Sequence, residues 1–139
     1  MKIFSPLIVC LGILPTAIAL AQQTTPEKAA EGELPSLLAI YKDVHSHPEL
    51  SWHEERTAAL VAKELRAVGC EVTENFGKPD NPGVKSYGVI GVMKNGPGPL
   101  VLVRTDLDAL PVDEQTGLPY ASKVTTKDDS GKEVHVMHA

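Results

Sequence analysis

Cysteine is scarce in this sequence, because only Cys10 and Cys70 occur among its 139 residues. Cys10 lies in an N-terminal segment that we expect to be removed. The mature chain then keeps one cysteine and cannot form an internal disulfide, even in a compartment that permits one. Cys70 is interpreted as a small buried hydrophobic residue rather than a reactive thiol.

Aromatic residues and basic runs are also scarce. Aromatic side chains make up 4% of the chain, and 18 Asp and Glu residues outnumber 13 Lys and Arg residues. Without the first 21 residues, whose one charged side chain is Lys2, the balance is 12 basic against 18 acidic residues, a net charge of −6. Proteins that bind nucleic acids need a positively charged surface to neutralise phosphates. No nucleic-acid partner is therefore expected.

The first 21 residues have the pattern of a cleaved signal peptide. Met1 and Lys2 give a positive start, Ile3–Leu20 is uncharged and mainly apolar, and Ala19–Ala21 has the small-x-small form of a signal peptidase site. We expect cleavage after Ala21 and export of the mature protein, to the periplasm or the medium, with no stable membrane span afterwards.

Two alternatives concern the same segment. The run approaches the roughly 20 apolar residues that span a bilayer, which would allow a retained membrane anchor. Pro6, Gly12 and Pro15 interrupt it, however, and argue against an anchor. Lipid attachment at Cys10 is disfavoured because Val9 stands where a small residue is usual. The sequence favours a cleaved signal over both.

A polar lead-in and a first amphipathic helix are predicted next. Residues 22–33 lack periodic apolar positions, so a flexible lead-in is expected there. Pro35 suits a first helical turn, and the apolar residues that follow it are spaced three or four apart. The predicted helix therefore starts at Pro35 and ends before Pro48.

A second helix is predicted over Trp52–Val68. Ser51 and Glu54 have the spacing of a capping box, in which a hydroxyl and a carboxylate satisfy opposite backbone donors. Gly69 supplies a residue that can adopt the left-handed conformation at the end of the helix.

Three strands are predicted after the second helix. They are expected over Cys70–Asn75, Tyr87–Met93 and Leu100–Val103, separated by an exposed loop over residues 76–85 and a tight turn at Asn95–Gly98. The third strand is apolar on both faces, which indicates a covered, central position. Helices that precede strands of this kind predict an α/β domain with a mixed sheet. Further along, residues 109–120 are expected to be irregular and residues 125–133 to form a hairpin-like excursion.

Two carboxylates follow the predicted third strand. Asp106 and Asp108 would point to the same side if the strand geometry continued, at the edge where open α/β sheets place their ligands. Carboxylates placed this way can bind a hard metal ion or orient a metal-binding imidazole. The alternative is that they only cap the following turn, as Asp often does.

Six motifs occur in an order and spacing that are together far more specific than any one of them. They are His45–Ser51, Glu54–Ala58, Lys94–Pro99, Arg104–Pro111, Thr116–Ala121 and Val136–Ala139. Together they resemble the start of the amidohydrolases of metallopeptidase family twenty, the group of hippurate hydrolases and indole-acetyl-amino-acid hydrolases. The resemblance covers about residues 34–139. It implies the first part of a mixed-sheet, zinc-exopeptidase-like catalytic domain.

The resemblance also implies which site residues this chain contributes. In the family, the residues matching Val136–Ala139 are followed by Cys-Gly-His-Asp, whose Cys and His bind metal, and a catalytic Glu lies further on. A divalent metal, manganese or zinc, is therefore expected to bind to residues beyond Ala139, with no metal ligand within this chain. Arg104 stands where the wider family has a metal-binding His, which argues against Arg104 as a ligand. Asp106 is implied as a supporting catalytic residue, and Asp108 as a further candidate.

Two histidines, His45 and His47, invite a metal interpretation. His45 and His47 lie at the end of the first predicted helix, where an imidazole can bond the last carbonyls or complement the helix dipole. We favour that structural role for both. His135 and His138 are left without a role, since the resemblance implies that the residue matching His138 precedes a ligand without binding metal itself.

Two functions remain open from the sequence. The first is the N-terminal part of an exported metal-dependent amidohydrolase that cleaves N-acyl amino acids or related amides, the part being inactive alone. The resemblance leaves open whether the full-length protein is a homodimer. The second is a small exported binding or structural module without enzymatic activity.

Overall fold

The structure is a computed structural model that describes residues 25–139. The signal peptide predicted over residues 1–21 lies outside the described residues. Within the described range, no helix is both long and apolar enough to cross a membrane. The chain divides into two units, Met1–Gly32 and Glu33–Ala139, and the second contains every candidate site residue.

Helix α1 spans Pro26–Ser46, so the predicted start at Pro35 was wrong and residues 26–33 of the expected lead-in are helical. The helix starts early because Thr25 and Pro26 are themselves a start signal. The Thr25 hydroxyl accepts a hydrogen bond from the backbone N–H of Lys28 at 3.4 Å, and Pro26 occupies the first helical position. Pro35 is accommodated inside the helix.

Helix α2 spans Glu55–Ala67, and its first turn is capped from outside the helix. The two carboxylate oxygens of Glu49 accept hydrogen bonds from the backbone N–H groups of Arg56 at 3.0 Å and Thr57 at 2.7 Å. The predicted capping box was wrong, because the Ser51 hydroxyl instead donates to Asp108. Because the Glu49 carboxylate already accepts from two free N–H groups of the first turn, no capping box is needed there.

The end of α2 confirms the role predicted for Gly69, which has a φ of +89°. The N–H of Gly69 donates to the carbonyl of Arg66 at 3.0 Å, and the N–H of Cys70 donates to the carbonyl of Leu65 at 3.0 Å. These two bonds form a Schellman motif, which satisfies the last helical carbonyls and turns the chain back onto the helix.

Strands β1 (Glu71–Phe76) and β2 (Gly88–Val92) form an antiparallel pair on which α2 packs. Each end of both strands lies one residue from its predicted position. The register shifts by one residue between Thr73 and Phe76, and Asn75 adopts a left-handed φ of +55°. This β-bulge accentuates the local bend of β1.

The prediction for Leu100–Val103 was wrong. No regular strand forms there, and its four residues are between 77% and 96% exposed rather than covered. A strand that is apolar on both faces needs neighbours along its edges and layers above and below. Within residues 25–139, no strand pairs with it.

Strands β3 (Thr125–Lys127) and β4 (Glu133–His135) form the predicted hairpin. Asp128 closes its turn, since its Oδ1 accepts hydrogen bonds from the N–H groups of Ser130 at 2.9 Å and Lys132 at 3.0 Å. The Ser130 hydroxyl donates to the same oxygen at 2.6 Å. This bond has the largest effect, and together with the two backbone bonds it lowers the pKa of Asp128.

Three short segments meet in what we call the central ladder, formed by Leu50, Ala109–Leu110 and Met137. Leu50 pairs in parallel with Ala109, and Leu110 pairs antiparallel with Met137. The N–H of Ala109 donates to the Glu49 carbonyl at 2.7 Å, and Leu110 and Met137 exchange two bonds of 2.9 and 3.0 Å. The described chain is thus an α/β unit with both parallel and antiparallel pairing.

Candidate functional site

The central ladder brings Asp108 close to His138, although 30 positions separate them in the sequence. Asp108 accepts a hydrogen bond from the Ser51 hydroxyl, which fixes its carboxylate from the other side. Burial lowers the pKa of His138, and the charge of His45 adds to that effect, while Asp108 and Glu49 oppose it. The Asp108 charge therefore opposes a preference for the neutral imidazole that burial imposes on His138.

Asp106 lies at the border of a cleft of about 310 Å³. Its side chain is 66% exposed and accepts a hydrogen bond from Arg104 at 2.7 Å. His45, Thr57 and His138 line the same cleft. The backbone is irregular over residues 100–108, and the two carboxylates have different partners, so the expected continuation of strand geometry was wrong.

Two buried polar atoms at this cleft lack hydrogen-bond partners among the described residues. They are Oγ1 of Thr57 and Nε2 of His138. Thr57 is only 2% exposed. A buried donor or acceptor without a partner costs free energy, so these atoms mark the point where the described part of the molecule is least satisfied.

A buried hydrogen-bonded pair of His45 and Glu114 flanks the cleft, and the sequence pattern did not identify Glu114. Nε2 of His45 lies 3.0 and 3.1 Å from the two Glu114 oxygens, and the Glu114 side chain has no exposed surface. His45 lies in the last turn of α1, as predicted, but its Nε2 contacts Glu114 rather than the last helical carbonyls. The only sequence signal was a carboxylate among turn residues, which does not identify a partner 69 positions away.

Glu114 also accepts hydrogen bonds from the Thr116 hydroxyl and, at 2.5 Å, from the backbone N–H of Ser122. The Thr116 and His45 contacts are the largest influences and lower the pKa of Glu114 to about 2, although burial opposes them. The carboxylate is therefore ionised at neutral pH, and contacts from three groups, the His45 ring, the Thr116 hydroxyl and the Ser122 N–H, compensate its charge.

His47 and His135 do not line the cleft. Nδ1 of His47 lies 2.8 Å from the carbonyl oxygen of Asp43, in agreement with the predicted role at the helix end. Nδ1 of His135 lies 3.7 Å from a carboxylate oxygen of Asp113 on the surface.

The donor set present in residues 25–139 does not fit a metal ion. Nowhere in that range do three or more His, Cys, Asp or Glu side chains come together in a way that could hold one. The pair of Asp108 and His138 provides fewer donors than the four of a closed zinc site, or the three protein ligands of an open one. What these residues can do is orient and polarise a neighbour through hydrogen bonds and charge.

The chain is similar in sequence to known hydrolases. The chain is 43% identical over 101 residues to the hippurate hydrolase of Campylobacter jejuni, which covers 72% of this chain and 22% of that protein. It is 39% identical over 88 residues to N-acetylcysteine deacetylase of Bacillus subtilis, covering 63% of this chain and 22% of the relative. No family model matches the chain.

A solved structure matches the fold as well. It is the crystal structure of the Bacillus subtilis protein YxeP, a dinuclear metal-binding peptidase from the M20 family, at a TM-score of 0.58 and 32% identity. The match covers 78% of this chain and 26% of YxeP, so the chain spans about a quarter of the length of the relatives it resembles. The resemblance inferred from the six motifs is confirmed: the chain is a homologue of the M20 amidohydrolases and shares the fold of part of an M20 metallopeptidase.

Proposed function

We propose that this chain is part of an exported, metal-dependent amidohydrolase that cleaves N-acyl amino acids. The observation that carries the proposal is the 43% identity to a hippurate hydrolase, supported by 39% identity to an N-acetylcysteine deacetylase. Both of those names describe the removal of an acyl group from an amino acid nitrogen. Export is proposed from the signal pattern of residues 1–21.

Asp106 and Asp108 are the residues proposed to support the reaction. Asp108 accepts a hydrogen bond from Ser51, and its charge favours the protonated form of the His138 imidazole. Asp106 borders the cleft and is exposed enough to meet a ligand or a neighbouring side chain. A divalent metal, manganese or zinc, is proposed because the solved M20 neighbour binds two metal ions. Residues 25–139 alone do not form its site.

Metal removal tests this function directly. The protein expressed from its complete reading frame should release amino acids from N-benzoylglycine and N-acetylcysteine. Dialysis against a chelator should lower the rate at least 100-fold, and added manganese or zinc should restore it, because a divalent metal would supply Lewis-acid chemistry to the hydrolysis. Residues 1–139 expressed alone should show no turnover under the same conditions.

The control is an ester or amide that carries no amino acid carboxylate, which should be cleaved far more slowly. Turnover that resists the chelator would contradict metal dependence. Absence of turnover on every N-acyl amino acid tested, with metal present, would favour the alternative of an exported module without enzymatic activity.

A further inference from the structure

Hydrogen bonds connect the buried pair of His45 and Glu114 to the segment that carries His138. Glu114 accepts from the N–H of Ser122 at 2.5 Å, and the Ser122 hydroxyl donates to the carbonyl of Val136 at 2.6 Å. Val136 is 1% exposed, and its N–H donates to the carbonyl of Val124 at 3.1 Å. Glu114 is thus linked to the segment 136–138 through one residue, Ser122.

We call the chain of contacts from His45 through Glu114 and Ser122 to Val136 the relay. Its His45 end is held by aromatic neighbours. His45 is 6% exposed, stacks on Tyr41 with ring centroids 5.9 Å apart, and meets Tyr120 edge-on at 5.7 Å. Aromatic contacts of this geometry restrict the imidazole to one orientation. Glu114 is therefore attached to the end of α1 on one side and to Ser122 on the other.

The segment 136–138 is held at a second point by the central ladder. Met137 exchanges two hydrogen bonds with Leu110, two residues after Asp108. The ladder sets the register between the segment and Asp108, while the Ser122 contact sets the angle at which the segment arrives. Both contacts act on the segment that places His138 at the lining of the cleft.

We propose that Glu114 is a positioning residue, which through Ser122 and Val136 holds His138 at the cleft bordered by Asp106. The geometric part of the inference stands on the contacts within this chain. Its consequence for catalysis rests on the proposed amidohydrolase function.

The first experiment measures geometry without activity. In the protein from the complete reading frame, Glu114→Ala should speed amide hydrogen exchange at Val136 and Met137 about tenfold or more and shift the NMR signal of the His138 ring at fixed pH. Glu114→Gln keeps an oxygen that can accept from Ser122, so it should retain most of the protection. Exchange in β1 and β2 should remain as in the wild type, because the two strands pair with each other and take no part in the hydrogen bonds among Glu114, Ser122 and Val136.

The second experiment measures turnover. Glu114→Ala should lower kcat roughly 10- to 100-fold, as loss of a residue that orients a site residue commonly does, with KM within about threefold and Glu114→Gln intermediate. Glu71→Gln is the matched control, because Glu71 lies exposed on β1 and pairs only with Lys94 at 2.9 Å. It should leave both constants unchanged.

Ser122→Ala keeps the backbone N–H that Glu114 binds but removes the hydroxyl that reaches Val136. It should speed amide exchange at Val136 and Met137 in the same way, and it replaces Glu114→Ala if that variant does not fold. Equal acceleration of exchange in β1, β2 and the 136–137 segment, or none at Val136 and Met137, would overturn the inference. If exchange changes as expected while the wild-type protein hydrolyses nothing, the proposed function fails and the positioning role stands.

Discussion

Replacing Gly88 by alanine is expected to lower the free energy of unfolding by about 2–3 kcal/mol, the range of overpacking and backbone strain. A Cβ at this position would lie 2.2 Å from the carbonyl oxygen of Phe76, a distance that no real Cβ contact shows. Backbone atoms on both sides of the clash belong to the bulged pair of β1 and β2, so neither can move away freely. Relief requires the strands to separate.

Urea denaturation followed by circular dichroism measures this effect. Gly98→Ala is the matched control, since a Cβ there would meet nothing within 4 Å and the residue does not have a positive φ. It should change the free energy of unfolding by less than about 0.5 kcal/mol. Equal stability of the two variants would contradict the close approach of β2 to Phe76.

Acid is expected to destabilise the protein through Glu114. Hydrogen bonds from Thr116 and His45 lower the pKa of this carboxyl from 4.5 to about 2 in the folded state. A depressed carboxyl pKa contributes stability that is fully present above the unfolded value and is lost as the pH falls towards the folded value. The loss should therefore run from about pH 4.5 down to about pH 2.

Thermal unfolding midpoints measured from pH 7 to pH 2 would show this loss. In Glu114→Gln, the midpoint should be lower at pH 7 and should fall less steeply below pH 4.5, because the group that titrates is gone. Asp128 and His138 also have lowered pKa values, so a smaller acid dependence should remain in the variant. Parallel curves for the two proteins would show that Glu114 is not held as an ionised carboxylate.

The features predicted correctly from the sequence depend on neighbours along the chain. Gly69 ends α2 because a left-handed residue is needed there, and Asp128 with Gly131 turns the β3–β4 hairpin within a few residues. The start of α1 could also have been predicted, since Thr25 and Pro26 form a local start signal that the polar composition of the lead-in obscured.

The features that were missed depend on residues far apart in sequence. Glu49 replaces Ser51 as the cap of α2 because the turn between them leaves the Ser51 hydroxyl to Asp108, 57 positions away. Leu100–Val103 has the composition of a buried strand, but burial requires partner strands that residues 25–139 do not supply. Periodicity specifies which face is apolar and cannot specify what covers it.

The candidate site divides in the same way. The sequence identified Asp106 and Asp108 as candidates, and their roles in catalysis remain predictions. The buried pair of His45 and Glu114 emerged only from the folded chain, because each residue has an ordinary local explanation in the sequence. The pairing of Met137 with Leu110, two residues after Asp108, likewise requires the central ladder to form.

The most direct measurement is the kcat for N-benzoylglycine hydrolysis by the complete protein carrying Asp106→Asn, compared with Asp129→Asn. Asp129 is 84% exposed at the tip of the β3–β4 hairpin, so its variant provides the same chemical change away from the cleft. If Asp106 supports an M20-type hydrolytic site, Asp106→Asn should lower kcat about 10- to 100-fold or more, and Asp129→Asn should leave it unchanged. Full activity in Asp106→Asn, or an equal loss in both variants, would contradict that role.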